Sequence, residues 1–246
     1  MAERSKNGAL ATARRKLLTR LLEKSSTDLS AGRAPAEPAR GEGALSFAQE
    51  RLWFLDQLHP GSPVYNISRA LRLTGRLDTD ALERAVNEIV RRHEVLRATF
   101  PSVNDQPVQT AAAELPILLQ LIDLSGLPAK RRSAAMSRLI NSETAVPFDL
   151  ARGPLIKTRL IKRAKNDHLF LLVLHQMICD GWSISLLLRE LGKLYCAFVK
   201  KQTVVLAAPK ITYSQYAERQ RNSLQGERLQ VNSRTGRNSC MAAPPR

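Results

Sequence analysis

The sequence is short of the residues that would place it outside ordinary globular proteins. Its 246 residues hold only three cysteines, Cys179, Cys196 and Cys240, with no CxxC or CxxH spacing. That excludes a disulfide framework and a zinc-ribbon site, and all three read as reduced thiols. Long apolar runs are missing as well. The longest useful one, Leu169 to Leu174, is far too short to span a bilayer, so no membrane partner is expected. No charged-then-apolar leader opens the chain, which makes the cytoplasm the default compartment. His59, His93 and His168 are scattered without metal-ligand spacing. With 12 Gly, 13 Pro and 43% hydrophobic residues, the chain is neither collagen-like nor wholly disordered.

Acidic residues are scarce: 22 Asp and Glu face 38 Lys and Arg, for a net charge of +16. Half of the excess sits in two tails. Residues 1–40 carry nine basic and four acidic side chains, and residues 231–246 carry three arginines and no acid. A basic total can signal nucleic acid, but charge clustered in tails on a moderately basic body argues against that partner.

The ends differ from the middle in pattern too. Leu10, Leu17, Leu18, Leu21 and Leu22 recur at helical spacing with Arg14, Arg15, Lys16 and Arg20 between them. The spacing predicts a basic amphipathic helix over 9–24, either a solvated lead-in or a docking element for a partner such as an upstream chain. A linker rich in Ala, Pro, Gly and Ser follows to residue 43. From Leu45 onward the sequence reads as folded. Ser46-Phe-Ala-Gln49 has the capping-box pattern and predicts a helix through Leu58. A strand is expected from Val64 to Leu73, then a helix capped by Asp78 that buries Leu82, Ala85, Val86, Ile89 and Val90. Strands are expected at 95–100, 107–111 and 117–122, and a helix near 130–143. A β-hairpin over 155–163 and 168–175 turns at Lys165-Asn166-Asp167. Ser183 is expected to cap the next helix, and a last helix spans about 213–229. Trp53 and Trp182 are expected in the core. Helices and strands mix without a strict βαβ repeat, which predicts a two-layer α/β sandwich with a mixed sheet.

The stretch that carries chemistry is Leu171 to Ser183. A buried strand ends in His175 and Gln176, a tight Asp180-Gly181 turn follows, and a helix begins. Strand tips are common places for active sites. Gly181 is expected to take a positive φ where the chain reverses, and Asp180 to orient a neighbour by accepting hydrogen bonds. A lone histidine at a strand end is more often structural than catalytic, so the pattern alone is a weak signal and leaves both readings open.

The same stretch resembles the HHxxxDG signature of the condensation domains of nonribosomal peptide synthetases. Leu45-Ser-Phe-Ala-Gln-Glu-Arg-Leu-Trp-Phe-Leu-Asp-Gln-Leu58 is similar to that family's opening motif. Arg92-His-Glu-Val-Leu-Arg-Ala-Thr-Phe100 resembles its RHExLRTxF motif, and Pro147-Phe-Asp-Leu-Ala-Arg-Gly-Pro-Leu155 the turn before the hairpin. Tyr213-Ser-Gln-Tyr216-Ala217 resembles YxDYAxW, with Gln215 for Asp and Arg219 for Trp. The resemblance covers about residues 44–230, and the Ser-Phe-Ala-Gln opening is most similar to the subclass that takes an L-configured donor. It implies a chloramphenicol acetyltransferase-like fold of two lobes around a tunnel. It also implies amide-bond formation between a donor thioester and an acceptor amine, both carried on phosphopantetheine arms of peptidyl or aminoacyl carrier proteins, with no cofactor bound by the domain. The residues it singles out as catalytic are His175, Gln176, Asp180 and Gly181.

The sequence departs from the family twice. The second histidine, the residue credited with catalysis, is Gln176 here. A carboxamide does not titrate near neutral pH, so it offers hydrogen bonds but no general acid–base chemistry. His175 is not expected to stand in, because adjacent strand residues point to opposite faces. The second departure is extent: only the N-terminal lobe is matched, and an impaired or silent, truncated domain is expected. After Gln230 the helical pattern vanishes. The family would continue with a LAYWKEQLxGxPP-like run. Read from the third base of each codon, with permitted wobble choices, residues 232–242 can give Leu, Ala, Tyr, Trp, Lys, Glu, Gln, Leu, His, Gly. The tail 231–246 is therefore expected to be out of frame. The alternatives are a fragment that binds carriers or partners without turnover, and a basic nucleic-acid-binding protein.

Overall fold

A computed structural model describes residues 43–203 and 206–224. The expected helix over 9–24, almost all of the linker, and the tail over 231–246 lie outside the described residues.

Helix α1 (Phe47–Leu58) starts at a reciprocal cap. The Ser46 hydroxyl accepts from the Gln49 N–H at 3.2 Å, and the Gln49 carboxamide oxygen accepts from the Ser46 N–H at 3.0 Å. Strand β1 (Asn66–Thr74) ends at Gly75, which takes φ 101°. Asp78 then caps helix α2 (Thr79–Arg92) by accepting from the Ala81 N–H at 2.9 Å. The buried face of α2 is Ala81, Leu82, Ala85, Val86, Ile89 and Val90, which contains the expected stripe.

The strand expected at 95–100 is mostly a tight 3₁₀ turn, Glu94–Arg97, followed by the two-residue strand β2 (Ala98–Thr99). Arg97 supplies the reason. Its guanidinium donates to the Val90 and Arg91 carbonyls, at 3.3 and 2.9 Å, which the end of α2 leaves unpaired. The chain is thereby drawn back onto the helix end. The segment expected as one strand over 107–111 is likewise divided. Strands β3 (Ser102–Val103) and β4 (Gln106–Pro107) form a hairpin at Asn104-Asp105, both at positive φ, and β5 (Thr110–Ala111) pairs with β2.

The main sheet is built from β1, β6 (Gln120–Asp123), β7 (Ile156–Ala164) and β8 (Asp167–His175), in the order β1-β8-β7-β6. Strand β6 runs parallel to β7 and the other pairs are antiparallel, so the sheet is mixed as expected. Central position explains why β8 is a nearly unbroken apolar run: every residue from His168 to His175 is buried. Phe170, Leu172 and Ile156 meet α2 and helix α4 (Gly181–Val199) on one face. Arg159, of opposite parity to Ile156, donates at 2.7 Å to Glu143 of helix α3 (Ala129–Ala145), which lies on the other face. Helix α5 (Tyr213–Ser223) opens with a second capping box, Thr212 with Gln215. Among the described residues no helix is long and apolar enough to cross a membrane.

Candidate active site

The end of β8 sets the geometry of the site. His175 pairs with Asn66 across β1 and is only 2% exposed. Its ring lies edge-on to Tyr65 and Phe148, with centroids 6.2 and 6.1 Å away. Nδ1 accepts from the Met177 N–H at 3.1 Å. Burial pushes the imidazole down to about 4, so His175 is neutral at physiological pH. Gln176, one residue on, is exposed, and its backbone N–H donates to the Tyr65 carbonyl at 2.9 Å. The pair divides as expected: His175 turns inward and Gln176 outward.

Asp180 accepts hydrogen bonds as expected, but the helix cap and Gly181 differ from expectation. Asp180, not Ser183, caps α4: its Oδ1 accepts from the Ser183 N–H at 2.7 Å and from the Ser183 hydroxyl at 2.6 Å. These bonds hold the carboxyl below its usual range. Gly181 is the first residue of α4 and does not take a positive φ; a Cβ there would meet nothing within 4 Å. The turn is made by the chain between Gln176 and Asp180, so glycine is not sterically required. Trp182 is not in the core but 76% exposed at the start of α4, whereas Trp53 is buried. Burial pushes the Cys179 thiol up to about 12, which leaves it unreactive.

Gln176, Asp180, Ser183, His93, Ala48 and Tyr213 are among the residues lining an open cavity of about 360 Å³ at this end of the sheet. Polar contacts tie the distant sequence motifs together around it. The Ser46 hydroxyl and Tyr213 hydroxyl are 3.0 Å apart. Gln49 donates to the Met177 carbonyl at 3.2 Å. The Ser214 hydroxyl donates to Glu94 at 2.8 Å, and His93 Nε2 lies 2.8 Å from Glu190 of α4. His93 is thereby paired with a carboxylate of α4. Among the described residues no three His, Cys, Asp or Glu side chains gather as a metal site.

Motifs far apart in the sequence thus converge on one loop, and comparison with known proteins gives that convergence a name. Residues 39–234 match the family model of the condensation domain. The chain belongs to the condensation domain family. It is 48% identical over 185 residues to one of the linear gramicidin synthase proteins of Brevibacillus parabrevis, covering 75% of this chain and 4% of that protein. It is 41% identical over 218 residues to phosphinothricin tripeptide synthetase PhsC of Streptomyces viridochromogenes, covering 87% and 20%. Among solved structures it resembles the starter condensation domain of rhizomide synthetase RzmA, with TM-score 0.69 and 24% identity over 76% of this chain and 45% of that one. It also resembles the first condensation domain of the calcium-dependent antibiotic synthetase in complex with a substrate analogue, with TM-score 0.67 and 27% identity over 75% and 44%. The chain therefore spans a small part of these synthetases and just under half of the solved condensation domain chains.

In this member of the condensation domain family, reading the sequence misses the residues that brace His175. Tyr65 lies outside every motif and carries no signal. Phe148 lies in the Pro147–Leu155 motif, where it reads as part of a turn; in the structure it packs on His175, and the Lys157 ammonium sits 4.5 Å above its ring.

Proposed function

We propose that residues 44–230 form the N-terminal lobe of an amide-forming condensation domain whose chemistry is weakened by Gln176. In the reaction of the family, the acceptor amine attacks the donor thioester carbonyl. A C–N bond forms, the C–S bond breaks, and the amine's proton must leave as the phosphopantetheine thiol is released. One observation carries the reading. The residue exposed in the cavity is a carboxamide, while the imidazole beside it is buried, bonded through Nδ1 to Met177 and neutral. Gln176 can donate to the developing oxyanion or accept from the amine, but it cannot take the proton. Orientation survives and base catalysis does not, a deficit of about 10²–10⁴-fold in rate. The donor and acceptor are aminoacyl or peptidyl groups on carrier proteins, and the other wall of the tunnel comes from a second lobe.

The test is a complete condensation domain containing these residues, supplied with loaded donor and acceptor carriers. Gln176→His is expected to raise amide product by about 10²–10⁴-fold, read by mass spectrometry. No gain would overturn the proposal. The same carboxamide favours a second reading, in which the lobe binds carriers without turnover. That reading predicts equal carrier affinity, measured by calorimetry, for the unchanged domain and the Gln176→His variant, and no product from either.

A further inference from the structure

Gln49 is 1% exposed, and its side chain is hydrogen-bonded at both ends of the carboxamide. Its Oε1 accepts from the Ser46 N–H at 3.0 Å. Its Nε2 donates to the Gln109 side-chain oxygen at 3.1 Å and to the Met177 carbonyl at 3.2 Å. Met177 is the residue after Gln176, and its own N–H donates to His175 Nδ1. Gln109 is also buried, at 3%, and its backbone is anchored by a two-way bridge to Gly43, at 2.8 and 2.9 Å.

A helix cap needs only one arm of this carboxamide. A capping box is complete once Gln49 Oε1 accepts from Ser46, and the amide nitrogen plays no part in it. In a buried setting, two further bonds from that nitrogen define a position rather than merely fill space, because a partner left unpaired there bears the full penalty of its desolvation.

We propose that Gln49 is a positioning residue for the 176–179 loop, setting where Gln176 stands in the cavity through the Met177 carbonyl. The inference rests on the reading of that loop as the reaction site. Gln49 holds the loop at Met177 O, His175 holds it at Met177 N, and Tyr65 O holds the Gln176 N–H. Tyr65 and His175 thereby hold the peptide units on either side of Gln176, and Gln49 holds the next one, between Met177 and Ile178. A displacement of about 1 Å at such a position can cost about 10²-fold in rate without altering how substrate binds.

Two substitutions separate this role from the cap. Gln49→Glu keeps an oxygen for the Ser46 N–H but carries at most one proton where the carboxamide carries two, so α1 stays capped while Gln109 and Met177 no longer both receive a bond. Gln49→Leu removes both functions at similar volume. Leu194→Ala, a buried site on α4 with no bond to the loop, controls for a general loss of stability. In the full chain, both Gln49 variants are expected to shift the backbone amide resonances of Gln176 to Cys179 and speed their hydrogen exchange, and Leu194→Ala to leave those shifts in place. In a complete domain bearing Gln176→His, Gln49→Glu is expected to lower kcat by about tenfold or more with carrier KM unchanged. Unmoved loop resonances in Gln49→Glu, or a rise in KM with kcat intact, would overturn the proposal. If Gln176→His yields no amide at all, the functional reading fails while the loop resonances still decide the role of Gln49.

Discussion

His175 links burial to acid sensitivity. Its folded value of about 4 lies below the ordinary 6.5, so the unfolded chain binds its proton first as pH falls. The stability it contributes is complete above pH 6.5 and is lost as pH drops through the range toward 4. The shift corresponds to a loss on the order of 3 kcal/mol. Urea denaturation at about pH 7 and about pH 4.5 is expected to show this drop in the native chain and a shallower one in His175→Leu. Cysteine reactivity provides a second check at the same scale. The Cys179 thiol is buried and pushed up to about 12, while Cys196 is exposed on α4. Peptide mapping after brief iodoacetamide treatment at about pH 8 is expected to find Cys196 alkylated and Cys179 intact.

At the scale of elements, the last two residues of the signature differ in weight: Asp180 caps a helix, whereas Gly181 stands at an open helical position. Asp180→Ala removes the cap of α4 and is expected to cost about 1 kcal/mol, read as a lower thermal midpoint. Gly181→Ala is expected to leave that midpoint unchanged, since the position is helical and open. Gly153→Ala is the contrasting case: φ is 62° and a Cβ would come within 2.9 Å of Thr99 Cγ2, so a clear loss of stability is expected. These cases mark the boundary of what a sequence reveals. The caps at Ser46 and Asp78, the buried stripe of α2 and the β7–β8 hairpin are legible because each depends on neighbours in sequence. The turn at Glu94–Arg97 is not, because it is made by a side chain: Arg97 donates to carbonyls six and seven residues back, and no spacing of apolar residues marks that bond. Trp182 misleads for a related reason. Its size predicts burial, but its place at the first turn of α4 turns it outward.

For the whole molecule, the strand order has a kinetic consequence. Strand β8 is bonded on both edges, to β1 and β7, and is buried along its length, whereas β2 to β5 form two-residue ribbons. Native-state hydrogen exchange is expected to be slowest in β8, limited by global unfolding, and faster by orders of magnitude in the ribbons. The motifs, invisible as a unit along the chain, become one in space because β8 delivers its tip to a place walled by α1, the turn at 93–96, α4 and α5. None of the groups that hold this tip is the side chain at position 176: the holders are a buried ring, a carboxamide from another helix, a backbone carbonyl and a helix cap. Position 176 is therefore a socket, shaped by its surroundings and indifferent to its occupant. Chemistry can be exchanged there by one codon, and a library of every residue but proline, which would lose the N–H bonded to Tyr65, is expected to yield proteins that share one shape and differ only in what they can do.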